Sequence, residues 1–196
     1  MKHKIIFATK NYGKLKEVCH ILGEKEIELL SLNDFNNVAE IVEDGNTFEE
    51  NAVKKAKYVF EKYSIPVLAD DSGLVVEQLN GEPGIYSARY AGENATDEEN
   101  NKKLISRLLS LPQPHKAKFV CSAVYFDGKN MMKAEGEIVG QIIHEQHGKN
   151  GFGYDPLFMP DGYNQTTAEL NFDEKNKISH RAKAFNSLLK LIKERG

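Results

Sequence analysis

The chain has little cysteine, no long apolar run and no surplus of basic charge. Two cysteines in 196 residues, Cys19 within a helical pattern and Cys121 within a strand pattern, point away from a disulfide framework and toward a reducing, cytoplasmic setting. No stretch approaches about 18 consecutive apolar residues, so no membrane-spanning helix is expected and no membrane partner with it. The opening MKHKIIFATK lacks the extended apolar segment of a secretory signal. With 26 basic against 29 acidic residues and a net charge of −3, there is no global basic footprint, so nucleic acid is not an expected partner. A single nucleotide needs only a local cationic cluster. Internal repeats, low-complexity tracts and clear linkers are missing too, which leaves one domain over residues 1–196 with room for a second lobe.

What the chain does have is 40% hydrophobic and 28% charged residues, the balance of a soluble globular protein. Lys4 to Ala8 predicts a strand that runs through the polar loop Thr9-Lys10-Asn11-Tyr12-Gly13-Lys14 into a helix ending near Leu22. A second strand is expected from Ile27 to Leu30, followed by a polar connection, Asn33 to Gly45, that holds Glu40, Glu43 and Asp44. Thr47 and Glu50 have the spacing of a capping box, and Phe48, Ala52, Ala56, Val59, Phe60 and Tyr63 form one apolar stripe on the helix that follows. Ile65 to Ala69 reads as a short buried strand bounded by Pro66 and Gly73, and Leu74 to Leu79 as another. Glu82 to Gly92 is expected to be a loop in which Arg89 is a phosphate contact or an ion-pair partner, the second being favoured. Thr96 and Glu99 make a second capping box, with Leu104, Ile105, Leu108 and Leu109 as the buried face. Lys118 to Phe126 and Met131 to Val139 flank a turn and predict a long antiparallel hairpin; the last helix is expected from Ser179 to Lys193. Helices alternating with strands, plus one hairpin, give an α/β protein with a mixed sheet flanked by helices.

Several stretches have a bland reading beside a chemical one. Asp70 and Asp71 follow an apolar run directly, and such a pair can close a turn or face a site. In a strand the two would point to opposite faces, so that only one serves the site, whereas a break at Ser72-Gly73 would turn both inward. Lys14 lies after a glycine at a helix start, where backbone N–H groups and the dipole favour an anion, although such a lysine can equally be solvated. The loop is not a P-loop, since the glycine spacing and the Lys-Ser/Thr ending are missing. Gly148 to Pro156 sets glycines around Phe152, Tyr154 and Asp155, an arrangement for stacking a base or for a plain turn. His180 and Arg181, preceded by Lys175 and Lys177, crowd positive charge at the positive end of the last helix, a conflict that an anion would resolve.

Taken in order, Thr9-x-Asn11-x-x-Lys14, Thr47-Phe48-x-Glu50-Asn51-Ala52, Ala69-Asp70-Asp71-Ser72-Gly73, Pro83-Gly84-Ile85-Tyr86-Ser87-Ala88-Arg89, Gly151-Phe152-Gly153-Tyr154-Asp155-Pro156 and Ser179-His180-Arg181 resemble the inosine triphosphate pyrophosphatase family over about residues 5 to 190. Lys10 departs from the Gly or Ser that relatives often carry. The resemblance implies an elongated, two-lobed α/β fold around a long twisted sheet, a nucleotide cleft between the lobes, and a homodimer. It also implies hydrolysis of dITP, ITP and XTP between the α and β phosphates with Mg²⁺. By the same resemblance Glu43 and Asp71 are the metal carboxylates and Asp71 also the residue that orients or deprotonates water. Lys14, Lys175 and Arg181 would hold the triphosphate, Asn11 and Ser72 would donate to it, and the rest of the Thr9 to Lys14 loop would line it. Phe152, within Phe152-Gly153-Tyr154-Asp155, would stack on the purine while His180 and Arg181 donate to its 6-oxygen. Alternatives of other kinds are a pyrophosphatase for dTTP or modified pyrimidine triphosphates and a nucleotide sensor without turnover.

Overall fold

A buried strand with apolar side chains on both faces needs helices on both sides, and the first strand sets that requirement. In the computed structural model, which describes residues 3–23, 27–36, 38–39 and 41–195, β1 is His3–Phe7. Glu40 lies outside the described residues. Phe7 packs into one cluster with Val18, Leu22, Leu68, Phe185 and Leu188, whereas Ile6, one residue earlier, packs into another with Ala52, Ala56, Val59, Val67 and Ala69. The period of two along a strand produces that division.

The elements follow in the order α1 (Tyr12–Leu22), β2 (Ile27–Ser31), α2 (Phe48–Tyr63), β3 (Val67–Val76), α3 (Asp97–Leu108), β4 (His115–Phe126), β5 (Met131–Ile142), β6 (Phe158–Pro160), α4 (Phe172–Ile178) and α5 (His180–Arg195). Among the described residues the strands form one sheet in the order β2-β1-β3-β4-β5-β6. β1 runs parallel to β2, with Ile6 opposite Leu30, and parallel to β3, with Ile6 opposite Val67. β5 and β6 are antiparallel, with Gln141 opposite Met159. The mixed α/β sheet expected from the alternation of elements is therefore present.

The chain divides into two compact units. One comprises Met1–Asp71, Cys121–Gly136 and Arg181–Gly196, and its interior is the two clusters on either side of β1. The other comprises Ser72–Val120 and Glu137–His180, built around Leu74, Val76, Leu104, Leu108, Phe119, Leu157 and Phe158.

Capping chemistry sets the helix starts. Thr47 Oγ1 accepts from Glu50 N–H at 3.1 Å at the head of α2, but the Glu50 carboxylate reaches back to Asn46 N–H (2.7 Å), one residue further than the expected capping box. At α3 the box closes as expected: Thr96 Oγ1 accepts from Glu99 N–H and Glu99 accepts from Thr96 N–H.

Three expectations are corrected. The two strands predicted on either side of Gly73 are one continuous strand, β3, because Gly73 does not adopt the left-handed conformation that would turn the chain. Within the 82–92 segment, Gly84–Arg89 winds into a 3-10 turn rather than a plain loop. β6 and α4 were not expected at all: three residues and seven residues are too short to show a periodicity.

Candidate active site

Each unit buries a cluster of charged side chains, and β3 builds that of the first. Its pleat carries Asp70 to the same face as Leu68, where α1 and α5 pack, and Asp71 to the face of Val67 and Ala69, where α2 packs. The two carboxylates therefore meet different partners. Lys14 Nζ of α1 lies 3.2 Å from Asp70, and Arg181 Nε of α5 donates to it at 3.1 Å. Arg181 Nη1 also bonds Glu17 at 2.5 Å, and the guanidinium is almost completely buried. Burial would raise the Asp70 pKa, but the charges of Lys14, Arg181 and Lys55 outweigh it and hold the carboxyl far below the usual range. At Arg181, then, Asp70 and Glu17 supply the anion that the crowded positive charge at the start of α5 calls for.

Asp71 has a different environment. Asn51 Nδ2 donates to it at 3.0 Å, and Lys55 Nζ stands 3.9 Å from one of its oxygens and 3.0 Å from Glu43 Oε1. The Asn51 carboxamide oxygen also accepts from Gly45 N–H (2.8 Å), which ties the loop carrying Glu43 to the same place. Burial and the neighbouring Glu43 raise the Asp71 pKa, and Lys55 and Lys14 only partly offset that rise. Lys55 itself is kept charged: burial opposes its charge, but Asp71, Glu43 and Asp70 together prevail.

Glu43 and Asp71, which both face the Lys55 ammonium, offer oxygen donors only, the chemistry of Mg²⁺, an ion that takes one or two carboxylates and completes its shell with phosphate and water. Among the described residues no three His, Cys, Asp or Glu side chains form a closed metal cage.

The first loop is held by its own polar groups. Thr9 Oγ1 accepts from Asn11 N–H, Asn11 Oδ1 caps α1 by accepting from Lys14 N–H, and Lys10 Nζ reaches the Val38 carbonyl. Gly13 is partly buried in the first turn of α1, and Tyr12 is exposed. Ser72, half-buried on β3, follows Asp71 directly.

In the second unit Asp155 is the hub. Its carboxylate accepts from Phe152 N–H (2.9 Å), from Thr167 Oγ1 (2.8 Å) and from Lys175 Nζ (2.5 Å). That ammonium also lies 5.0 Å from the centre of the Phe152 ring, and a side chain at Gly151 would run into the Asp155 carboxylate. Tyr154 Oη donates to Ser87 O at 2.8 Å, and burial raises its pKa. His180 stacks on Phe119 with ring centres 4.9 Å apart. Arg89, as expected, is an ion-pair partner, with Nε 3.9 Å from Glu93.

Sequence reasoning passed over Lys55, Glu17 and Thr167 and gave Asn51 no role. A signal existed for two of them: Asn51 and Lys55 occupy the i and i+4 positions beside the Ala52-Ala56-Val59 stripe, on a face that should hold no lysine unless it is paired.

The Ham1 family pattern matches residues 5–191. The chain is 49% identical over 189 residues to a protein of Geobacter sulfurreducens named dITP/XTP pyrophosphatase, covering 95% of this chain and 94% of the relative. It is 46% identical to the protein of that name from Thermoanaerobacter pseudethanolicus, covering 98% and 100%. Its fold matches the structure of a HAM1 protein from Coxiella burnetii with a TM-score of 0.88 at 39% identity, covering 98% of this chain and 99% of the other.

Proposed function

From the chain's membership of the Ham1 family, to which it belongs over nearly its whole length, we propose that it hydrolyses dITP, ITP and XTP to the monophosphate and pyrophosphate. The relatives named dITP/XTP pyrophosphatase support the substrate class. The observation that carries the chemistry is Asp71, a buried carboxylate that accepts from Asn51 Nδ2 and faces the Lys55 ammonium beside Glu43.

In this reading Asp71 takes the proton of a water that attacks the α-phosphorus. The bond to the bridging oxygen breaks, and that oxygen leaves with pyrophosphate. Lys55 fixes the position of Asp71 and keeps its charged form accessible. Glu43 and Asp71 would hold Mg²⁺, whose contribution when bound is to neutralise charge on the phosphates. Lys14 and Lys175 would bind phosphate oxygens. Asn11 and Ser72 would donate hydrogen bonds to the same oxygens.

Phe152 would stack on the base, and donors from His180, Arg181 and their backbone would meet the 6-oxygen of hypoxanthine or xanthine. Adenine presents an amino donor there, which leaves those groups unpaired and disfavours ATP. A homodimer and a cytoplasmic setting belong to the same proposal; the two unbridged cysteines support the second.

The test is a turnover panel with Mg²⁺ over ITP, dITP, XTP, ATP, GTP and dTTP that separates pyrophosphate from orthophosphate. The expected result is pyrophosphate release with the inosine and xanthosine substrates preferred. Preference for dTTP, direct release of orthophosphate, or nucleotide binding without turnover would overturn the proposal.

A further inference from the structure

The loop that carries Phe152 is gripped from outside itself, by the first two turns of α3. Thr96 and Glu99 close the capping box there, so the carboxylate of Asp97, at the first helical position, has no capping duty. It accepts from Gly153 N–H at 2.6 Å. One turn later and on the same edge of the helix, Asn101 Nδ2 donates to Gly153 O at 3.0 Å. Both backbone polar groups of a single residue are thus held by one helix, at a glycine in the left-handed conformation (φ +63°). On its other side the Phe152 N–H is held by Asp155.

Phe152 therefore lies between two anchored amides, which fixes the path of the backbone that carries its ring. The neighbouring residue provides a contrast. Asn100 uses both amide atoms, accepting from Ala91 N–H and donating to Ala88 O, and so secures a segment remote in sequence from Phe152. The Asn101 side chain spends its donor on Gly153 while its carbonyl oxygen is buried with no hydrogen-bond partner. Burying an unpaired oxygen is unfavourable, so packing alone does not account for an amide at this position.

The geometry points to Asp97 and Asn101 as positioning residues for the base platform, acting on Phe152 through the Gly153 peptide groups. This rests on the reading of Phe152 as the purine-stacking residue. Loss of either grip releases one end of the Phe152-Gly153 segment and penalises ligands in proportion to their use of the base. Ligands that carry only phosphate are unaffected.

The experiment compares wild type with Asp97→Ala, Asp97→Asn and Asn101→Ala, using inhibition by inosine monophosphate, inhibition by inorganic pyrophosphate, and dITP kinetics. Asp97→Ala and Asn101→Ala are expected to weaken inosine monophosphate about tenfold and to raise KM for dITP, with kcat within about twofold and pyrophosphate inhibition unchanged. Asp97→Asn keeps an acceptor for Gly153 N–H and is expected to restore most of the loss. Equal weakening of both inhibitors, no weakening of either, or no rescue by Asp97→Asn would overturn the inference while leaving the proposed activity intact. A wild-type protein without purine turnover or purine binding would remove both.

Discussion

Asp70 and Asp71 are adjacent in the chain and opposite in electrostatic character: Asp70 is held charged by Lys14 and Arg181 on one face of β3, and Asp71 has a raised pKa on the other. Paired carboxylates whose surroundings push their pKa values apart divide the work between them. Asp70 has the environment of a fixed counter-ion. Asp71 has that of a carboxylate whose charge its neighbours balance only in part.

Replacing Asp71 by Asn tests that division. The amide oxygen can still accept from Asn51, so the fold is expected to persist. Turnover should fall by at least about 100-fold, the scale of a lost general base, while nucleotide binding by calorimetry is retained. Loss of the cooperative unfolding transition in Asp71→Asn would instead make the residue a structural one.

Arg181→Met should destabilise the protein strongly. It removes a buried cation that serves both Asp70 and Glu17 and leaves the Glu17 carboxylate, 3% exposed, without it. Breaking a buried pair of this kind costs about 3–5 kcal/mol. Urea denaturation would read the loss directly, and adding Glu17→Gln should recover part of it; an unchanged midpoint would contradict the account.

A histidine pair predicts how stability depends on pH. Gln78 Nε2 donates to Pro112 O (2.7 Å), so its oxygen accepts from His115 Nδ1–H (2.6 Å), and His115 Nε2 meets His144 Nε2 at 2.7 Å. That chain uses a neutral His115, and burial followed by His144 lowers its pKa below the ordinary 6.5. The unfolded chain takes up a proton there before the folded one does. Stability should therefore fall as pH drops below the ordinary value, until the lowered folded pKa is passed as well. Urea midpoints from about pH 7.5 to about pH 5 should show a slope that His115→Gln reduces; an identical slope in the variant would exclude His115 as its source.

Gly128→Ala should cost about 2–4 kcal/mol, from a left-handed backbone and from overpacking together. Gly128 has φ +93° in the turn between β4 and β5, and a Cβ there would run into the Phe60 ring, which packs edge-on against Phe126 with centres 5.1 Å apart. Phe60→Leu in the same chain should relieve the steric part. A double-mutant cycle with no coupling between the two positions would mean that the ring is not the obstacle.

Elements whose signals are local were legible in the sequence. The starts of α2 and α3 were marked by Thr47 and Thr96, and the alternation that separates Asp70 from Asp71 followed from strand geometry. The length of β3 was not legible, because Gly73 reads as a stop until its backbone angle is known. Within the candidate site the motif residues were visible, but their partners were not. Arg181 finds Asp70 across 111 positions and Glu17 across 164, separations over which no periodic pattern operates. Lys55 hid beside an apolar stripe, and Asn101 hid in a helix whose leucines accounted for its burial.

The chain also carries its own unfolding reporter. The Cys121 thiol is fully buried with Sγ 3.8 Å from Asp70, and burial together with that carboxylate drives its pKa far up, whereas Cys19 is exposed. An alkylating reagent will mark Cys19 in the native protein, and it will mark Cys121 only in molecules whose Asp70-Arg181-Glu17 network has opened. The labelling rate at that one sulfur is thus a clock for the opening of the interior, readable by mass without any added probe.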